Sequence, residues 1–268
     1  MRICKIRVKK LVVLFLITVV FVQCKSTESS LSLNDGEGVT FIPTLYIDSF
    51  IDEHQFEGKD SKELVRVELN DSIQNIPQWA FAIITTLEEV KLGSSVKSIS
   101  DNAFFSCKNL SRINLKKVES IGENCFKFSA LETANLSQTV TIGEFAFAEC
   151  KKLKNVEFSD SLELVGDFAF IGDTALTACH VPAGIIGASA FMGCKNMICL
   201  SLGRVVSIGK AAFLDCVSLK SVTIPPTVRE IEDEAFLGCE NLSEVIVTSH
   251  STKIAKNAFE KNIVLTYK

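Results

Sequence analysis

A short period governs this chain. Copies of one phrase start at Ile76, Ile99, Ile121, Ile142, Val165, Ile186, Ile208, Ile231 and Ile254, and successive starts lie 23, 22, 21, 23, 21, 22, 23 and 23 residues apart. The clearest copy, IGKAAFLDCVSLKSVTIPPTVRE from Ile208 to Glu230, is followed by one of equal length and the same apolar order from Ile231 to Lys253. A fixed period of this size builds stacked units, none of which buries its apolar side alone. The match to the second half of the phrase begins at Leu64, Val67, Leu69 and Ile73. Residues 64–268 therefore form one elongated domain rather than two compact ones.

The unit reads I-G-x-x-A-F-x-x-C-x-x-L-x-x-V-x-L-x-x-x-V. Its V-x-L part alternates apolar and polar, the signature of a strand with one buried face. Leu110-Ile113-Leu115, Leu153-Val156-Phe158, Leu219-Val222-Ile224 and Leu242-Val245-Val247 are examples. Copies running in one direction must pair these strands in parallel, about 4.8 Å apart. The Gly after Ile, as at Gly143, Gly166, Gly187 and Gly209, is expected to permit a tight bend. Phe holds the most regular slot: Phe81, Phe104, Phe126, Phe147, Phe170, Phe191, Phe213, Phe236 and Phe259. These predict a single internal column, and nothing before residue 64 is assigned to it.

Val222-Thr223-Ile224-Pro225 following Ile208-Gly209-Lys210-Ala211-Ala212-Phe213 resembles the repeat of the BspA-type leucine-rich repeat family of bacterial surface proteins. The resemblance covers residues 64–268. It implies a leucine-rich repeat solenoid of about nine rungs, with parallel β-strands on one face and short strands, turns or helical bends on the other. It also implies a non-enzymatic cell-surface adhesin or binder of host, matrix or neighbouring-cell proteins, and it names no ligand.

Upstream of the array, Arg2, Lys5, Arg7, Lys9 and Lys10 precede an apolar core from Leu11 to Val22, the pattern of an export signal over residues 1–23. That core is shorter than the roughly 20 residues a membrane-spanning helix needs. Phe21-Val22-Gln23-Cys24 before a polar stretch resembles a bacterial lipoprotein signal, although Phe21 and Gln23 depart from the preferred Leu and small residue. The resemblance makes Cys24 a lipid attachment site, residues 24–38 a polar tether and the chain a membrane-anchored protein of the cell envelope; secretion without a lipid is the alternative. Each buried acyl methylene would contribute about 0.8 kcal/mol to anchoring. Residues 39–63 are expected to cap the stack. Loss of residues 1–23 removes five of the 28 basic residues and none of the 32 acidic ones, so 23 face 32 and the net charge becomes −9. Basic residues are scattered without a stripe, which argues against nucleic acid.

Ten cysteines raise metal and disulfide chemistry. Cys107, Cys150, Cys194, Cys216 and Cys239 share one slot, interrupted by Ser129 and Asp173, which reads as a buried column of small apolar residues. Export permits disulfides, but the spacing pairs none. The three histidines stand apart at His54, His180 and His250, and no C-x-x-C occurs, so neither a metal nor a cofactor is expected. His180 and Cys199 fall on neighbouring outward positions, without the orienting third group a nucleophilic pair needs. The common hydrolase and nucleotide-binding signatures are missing, and no small-molecule substrate is expected.

The outward columns of the strand face are the better candidate surface. One column runs Glu68, Lys91, Asn114, Asn135, Glu157, His180, Ser201, Thr223, Ile246; its neighbour runs Arg66, Glu89, Arg112, Thr133, Asn155, Ala178, Cys199, Ser221, Glu244. Charges dominate the early copies and small or uncharged groups the later ones. Solenoids bind along such extended faces, and charge-poor patches suit protein contact. His180, Ser201, Thr223 and Ile246 are therefore the candidate centre of a partner footprint. A structural or assembly role inside the envelope, without an external ligand, is the alternative.

Overall fold

Alternation becomes strand geometry in every V-x-L segment. Ser221–Ile224 runs exposed, buried, exposed, buried, and Arg66–Leu69, Thr133–Leu136 and Glu244–Val247 likewise bury every second side chain. The computed structural model describes residues 44–48, 50–56 and 64–268. Within them all strand pairings are parallel, each strand set against the corresponding strand of the next turn: Arg66 opposite Glu89, Asn155 opposite Thr133, Ser221 opposite Glu244. A second strip forms at the Ile slot from two-residue strands such as Ser98–Ile99, Ser120–Ile121 and Thr141–Ile142. The two strips merge in Ala178–Ile186 and Cys199–Ile208, which run continuously through both.

The expected helical bends on the other side do not form; the described residues contain no helix at all. The reason lies in where alternate N–H groups go. Those of Phe145, Phe147 and Glu149 donate to the carbonyls of Asp167, Ala169 and Ile171 in the next turn, at 2.8–2.9 Å. Those of Ala146, Ala148 and Cys150 donate back three residues, to Gly143, Phe145 and Phe147. A helix would close every bond within its own segment. Here half of them join turns, and the same pattern recurs from Trp79, Phe81 and Ile83 onward. The residues two positions to either side of the inward Phe, such as Phe145 and Glu149 around Phe147, take left-handed backbone; fourteen described non-glycine residues have positive φ, among them Trp79 at 58°, Phe145 at 54° and Phe168 at 57°.

The phenylalanine column is present and one member longer than the repeat phrase indicates. Phe56 stacks on Phe81 at 5.2 Å, and the line continues through Phe104, Phe126, Phe147, Phe170, Phe191, Phe213, Phe236 and Phe259 with centroid spacings of 5.0–5.4 Å. With Phe56 the stack has about ten turns rather than about nine. Thr44–Ile47 likewise pairs with Arg66–Leu69, so a strand of the sheet falls within the segment expected to cap it. Residues 1–43, including Cys24, the export signal and the tether, lie outside the described residues, as do residue 49 and residues 57–63.

The glycines that follow Ile serve close approach, not a left-handed bend. A Cβ on Gly143 would stand 2.6 Å from the backbone carbon of Gly122, and one on Gly166 would stand 2.7 Å from that of Gly143. Neither has a positive φ. The central turns therefore stack backbone directly on backbone at this corner.

The shared cysteine slot is buried throughout, and each thiol has a partner. Sγ of Cys107, Cys150, Cys194, Cys216 and Cys239 donates to the carbonyl of Phe81, Phe126, Phe170, Phe191 and Phe213 respectively, at 3.0–3.3 Å. Each is the Phe one turn earlier. A small residue with a weak donor fits this slot better than a purely apolar one.

Candidate interaction face

The four candidate residues line up across successive strands. His180 lies opposite Ser201, and its Nδ1 is 3.1 Å from the Ser201 hydroxyl. Cys199 pairs with Ser221, and Ser201 and Thr223 stand two residues beyond each. Thr223 lies opposite Ile246. His180, Ser201 and Thr223 are exposed and Ile246 is half-buried. The alternation that buries Cys179, Val181, Val222, Ile224, Val245 and Val247 turns these four outward. The row also extends where the repeat phrase does not lead: Thr266, on the closing strand Leu265–Tyr267, pairs with Ile246. Tyr46, in the strand before the first full copy, stands beside Glu68 at the other end of the row.

Charge divides this face in two. In the early turns Glu89 accepts Arg66 Nε at 2.8 Å and Nη2 at 2.7 Å, with Arg112 Nη2 at 3.3 Å, and Lys91 pairs with Glu68 at 2.8 Å. Burial pushes the Glu89 carboxyl up, and the Arg66 and Arg112 guanidiniums outweigh it, holding it below the usual carboxylate range. These charges are mutually satisfied between turns. Farther on, Asn135 donates to Glu157 at 2.6 Å, and from His180 to Ile246 the row carries only an imidazole, two hydroxyls and an alkyl group. The side chains best suited to a partner's desolvating contact thus lie in the second half.

Cys199 is opposite Ala178, and His180 is engaged with Ser201. Burial pushes the thiols of Cys107, Cys179 and Cys239 up to about 12, which keeps them neutral. The described cysteines form no disulfide, and among the described residues no three His, Cys, Asp or Glu side chains gather as a metal site. Two open depressions lie among the described residues, one of about 490 Å³ between Lys91, Arg112, Asn114 and Thr133 and one of about 320 Å³ between Lys210, Glu232, Asp233 and Lys253.

Parallel strands stacked turn on turn over an internal column of aromatic rings define a β-solenoid of the leucine-rich repeat class. The sequence matches the family profile described as the BspA type leucine rich repeat region, in six copies over residues 49–177 and 140–266. The chain belongs to that family. Leucine-rich repeat solenoids are typically non-catalytic scaffolds for protein interaction. Solved structures similar to it include a leucine rich cell surface protein from Faecalibacterium prausnitzii, 19% identical over 88% of this chain and 86% of that one, with a TM-score of 0.39. A leucine-rich repeat protein of T. pallidum is 23% identical over 66% and 78%, with a TM-score of 0.47. The pneumococcal vaccine antigen PcpA is 17% identical over 81% and 74%, with a TM-score of 0.37. No curated protein matches the sequence.

Proposed function

We propose that this chain is an exported, lipid-anchored cell-surface protein that binds another protein through the second half of its strand face. The observation that carries the reading is the single outward row His180, Ser201, Thr223 and Ile246, poor in charge and beside turns whose charges pair with one another. Membership of a family of interaction scaffolds supports it, as does the export pattern ending at Cys24. The partner is a protein of host, matrix or neighbouring-cell origin, and contact needs no cofactor.

Two experiments test the parts separately. Cys24→Ala is expected to release the protein from the membrane fraction, while external protease on intact cells is expected to remove the unaltered one. Retention of the variant, or full protection from protease, rejects the anchor or the display, and protection favours a structural role inside the envelope. For the face, Thr223→Lys with Ile246→Lys places one charge on an exposed position and one on a half-buried, outward-facing position, where a lysine stem extends its ammonium into water and should leave folding intact. Adhesion of the purified solenoid to matrix proteins and to whole cells is expected to fall by about tenfold or more. Unchanged adhesion rejects the row.

A further inference from the structure

The turn side of the solenoid carries a run of aromatic rings that the buried core does not use. Trp79 meets Phe105 edge-on at 5.9 Å, Phe105 meets Phe128 at 6.1 Å, and Phe145 stacks on Phe168 at 4.7 Å. Lys127 joins the two halves, with Nζ 4.2 Å from the Phe145 ring and 5.6 Å from that of Phe128. All five rings are partly accessible, and Phe128 is 39% exposed. Trp79, Phe128, Phe145 and Phe168 all have positive φ, which bulky residues seldom adopt. The slot that holds Trp79, Phe145 and Phe168 holds Asn102 and Asn124 in the turns between them, and asparagine tolerates that backbone better. Stacking the turns therefore does not need these rings.

A column of carboxylates runs beside them. Asp101, Glu123, Glu144 and Asp167 occupy the position just before that slot in four successive turns. Among the described residues none of the four forms an ion pair, whereas elsewhere charges of opposite sign face each other between turns, as in Lys97–Glu119 and Lys154–Glu132. Asp101 and Asp167 are held in place because each Oδ1 accepts an N–H of the next turn, from Glu123 and Ala188. Like charges stacked in register destabilise the fold unless something of opposite sign covers them.

We propose that this stripe docks a basic, apolar peptide segment of a partner protein. Lys and Arg side chains of the segment lie over the rings and against the carboxylates, as Lys127 lies over Phe145, and its apolar side chains fill the spaces between rings. Negative charge beside exposed aromatics selects a cationic partner over an anionic membrane or nucleic acid. The stripe lies on the turn segments, shares no residue with the strand-face row and does not depend on it.

Trp79 is the chain's one tryptophan, so its fluorescence reports occupancy directly. The probes are a short synthetic peptide of alternating lysine and leucine and its glutamate–leucine counterpart, titrated into the chain from residue 24 onward. The lysine peptide is expected to shift Trp79 emission and the glutamate peptide to leave it unchanged. Phe145→Asn with Phe168→Asn keeps every charge and supplies the residue that neighbouring turns carry. It is expected to weaken lysine-peptide binding by about tenfold with a thermal midpoint equal to or above the parent's. Glu123→Gln with Glu144→Gln is expected to weaken binding similarly and to flatten its salt dependence. Full-strength binding by the Asn variant reduces the effect to bulk charge and overturns the proposal. A lowered midpoint in that variant also overturns it, by assigning the rings to packing. Self-association of the parent in sedimentation, lost in the Asn variant, gives the face to a second copy instead.

Discussion

Replacing Phe191 with alanine is expected to cost about 3–5 kcal/mol, lowering the thermal midpoint by on the order of 10 °C. The ring is fully buried and lies between two others, 5.1 Å from Phe170 and 5.2 Å from Phe213. Its neighbours cannot close the gap, because the backbone fixes their spacing: the Phe170 N–H bonds Ala190 O and the Phe191 N–H bonds Ala212 O, both at 2.7 Å. A cavity that cannot collapse retains its full cost. In a stack, each turn's stability depends on the contact areas it shares with its two neighbours, so the position along the column matters as well as the residue type. Phe259 at the last described turn has a ring on one side only, Phe236 at 5.0 Å, and is 9% exposed. Phe259→Ala should therefore cost clearly less than Phe191→Ala. Denaturant unfolding of both variants measures the difference. Equal losses, or a loss under about 1 kcal/mol at Phe191, would show that the aromatic column is not the spine of the fold.

The column was legible in the sequence because burial demands one residue type at one interval. Phe56 escaped that reading for a local reason. It follows Ile51 by the same five positions that separate Ile76 from Phe81, but Gln55 stands where every other copy carries Ala or, at Cys125, another small residue, and Phe81 is 25 residues farther on. The outward row was legible too, since a period of two assigns every second residue to the same face. Thr266 was not, because it pairs with Ile246 after a step of only 20 residues, where the other steps along the row are 21–23. The turn side was opaque. Its backbone is set by hydrogen bonds between turns, and those bonds hold Trp79, Ile83, Phe145 and Phe168 in left-handed conformations that their own preferences oppose. A period that registers burial says nothing of that path, so helical bends were as consistent with it as the turns that form. For the same reason the glycine corner suggested conformational freedom, when the constraint is contact with the turn beneath.

Asp173→Cys should stabilise the protein by about 1–3 kcal/mol near neutral pH. Asp173 occupies the slot where Cys150 and Cys194 sit one turn to either side, and it is fully buried. Its Oδ1 accepts the Cys150 N–H at 2.8 Å, while Oδ2 has no partner. Burial pushes its carboxyl well above the usual range; the Cys150 N–H opposes this and the nearby Glu149 charge adds to it. A thiol at the same position meets the Phe147 carbonyl as its counterparts meet theirs, and the Cys150 N–H keeps its bond to Phe147 O at 3.2 Å. The sign of the pH dependence follows from the raised value. Below the unfolded-state value, near 3.9, both states hold the proton and the folded form suffers no penalty for it. Between that value and the folded one, the native state holds a proton that the unfolded chain has released. Stability then falls as pH rises, by up to about 1.4 kcal/mol per unit, until the folded carboxyl ionises. Denaturant unfolding of parent and variant from pH 4 to pH 8 separates this from other titrations, since only the difference between the two curves belongs to residue 173. The gain from Asp173→Cys is expected to be small at the acid end and to widen toward neutrality. Parallel curves, or a variant less stable than the parent throughout, would mean that the buried carboxyl has found a stabilising partner in solution.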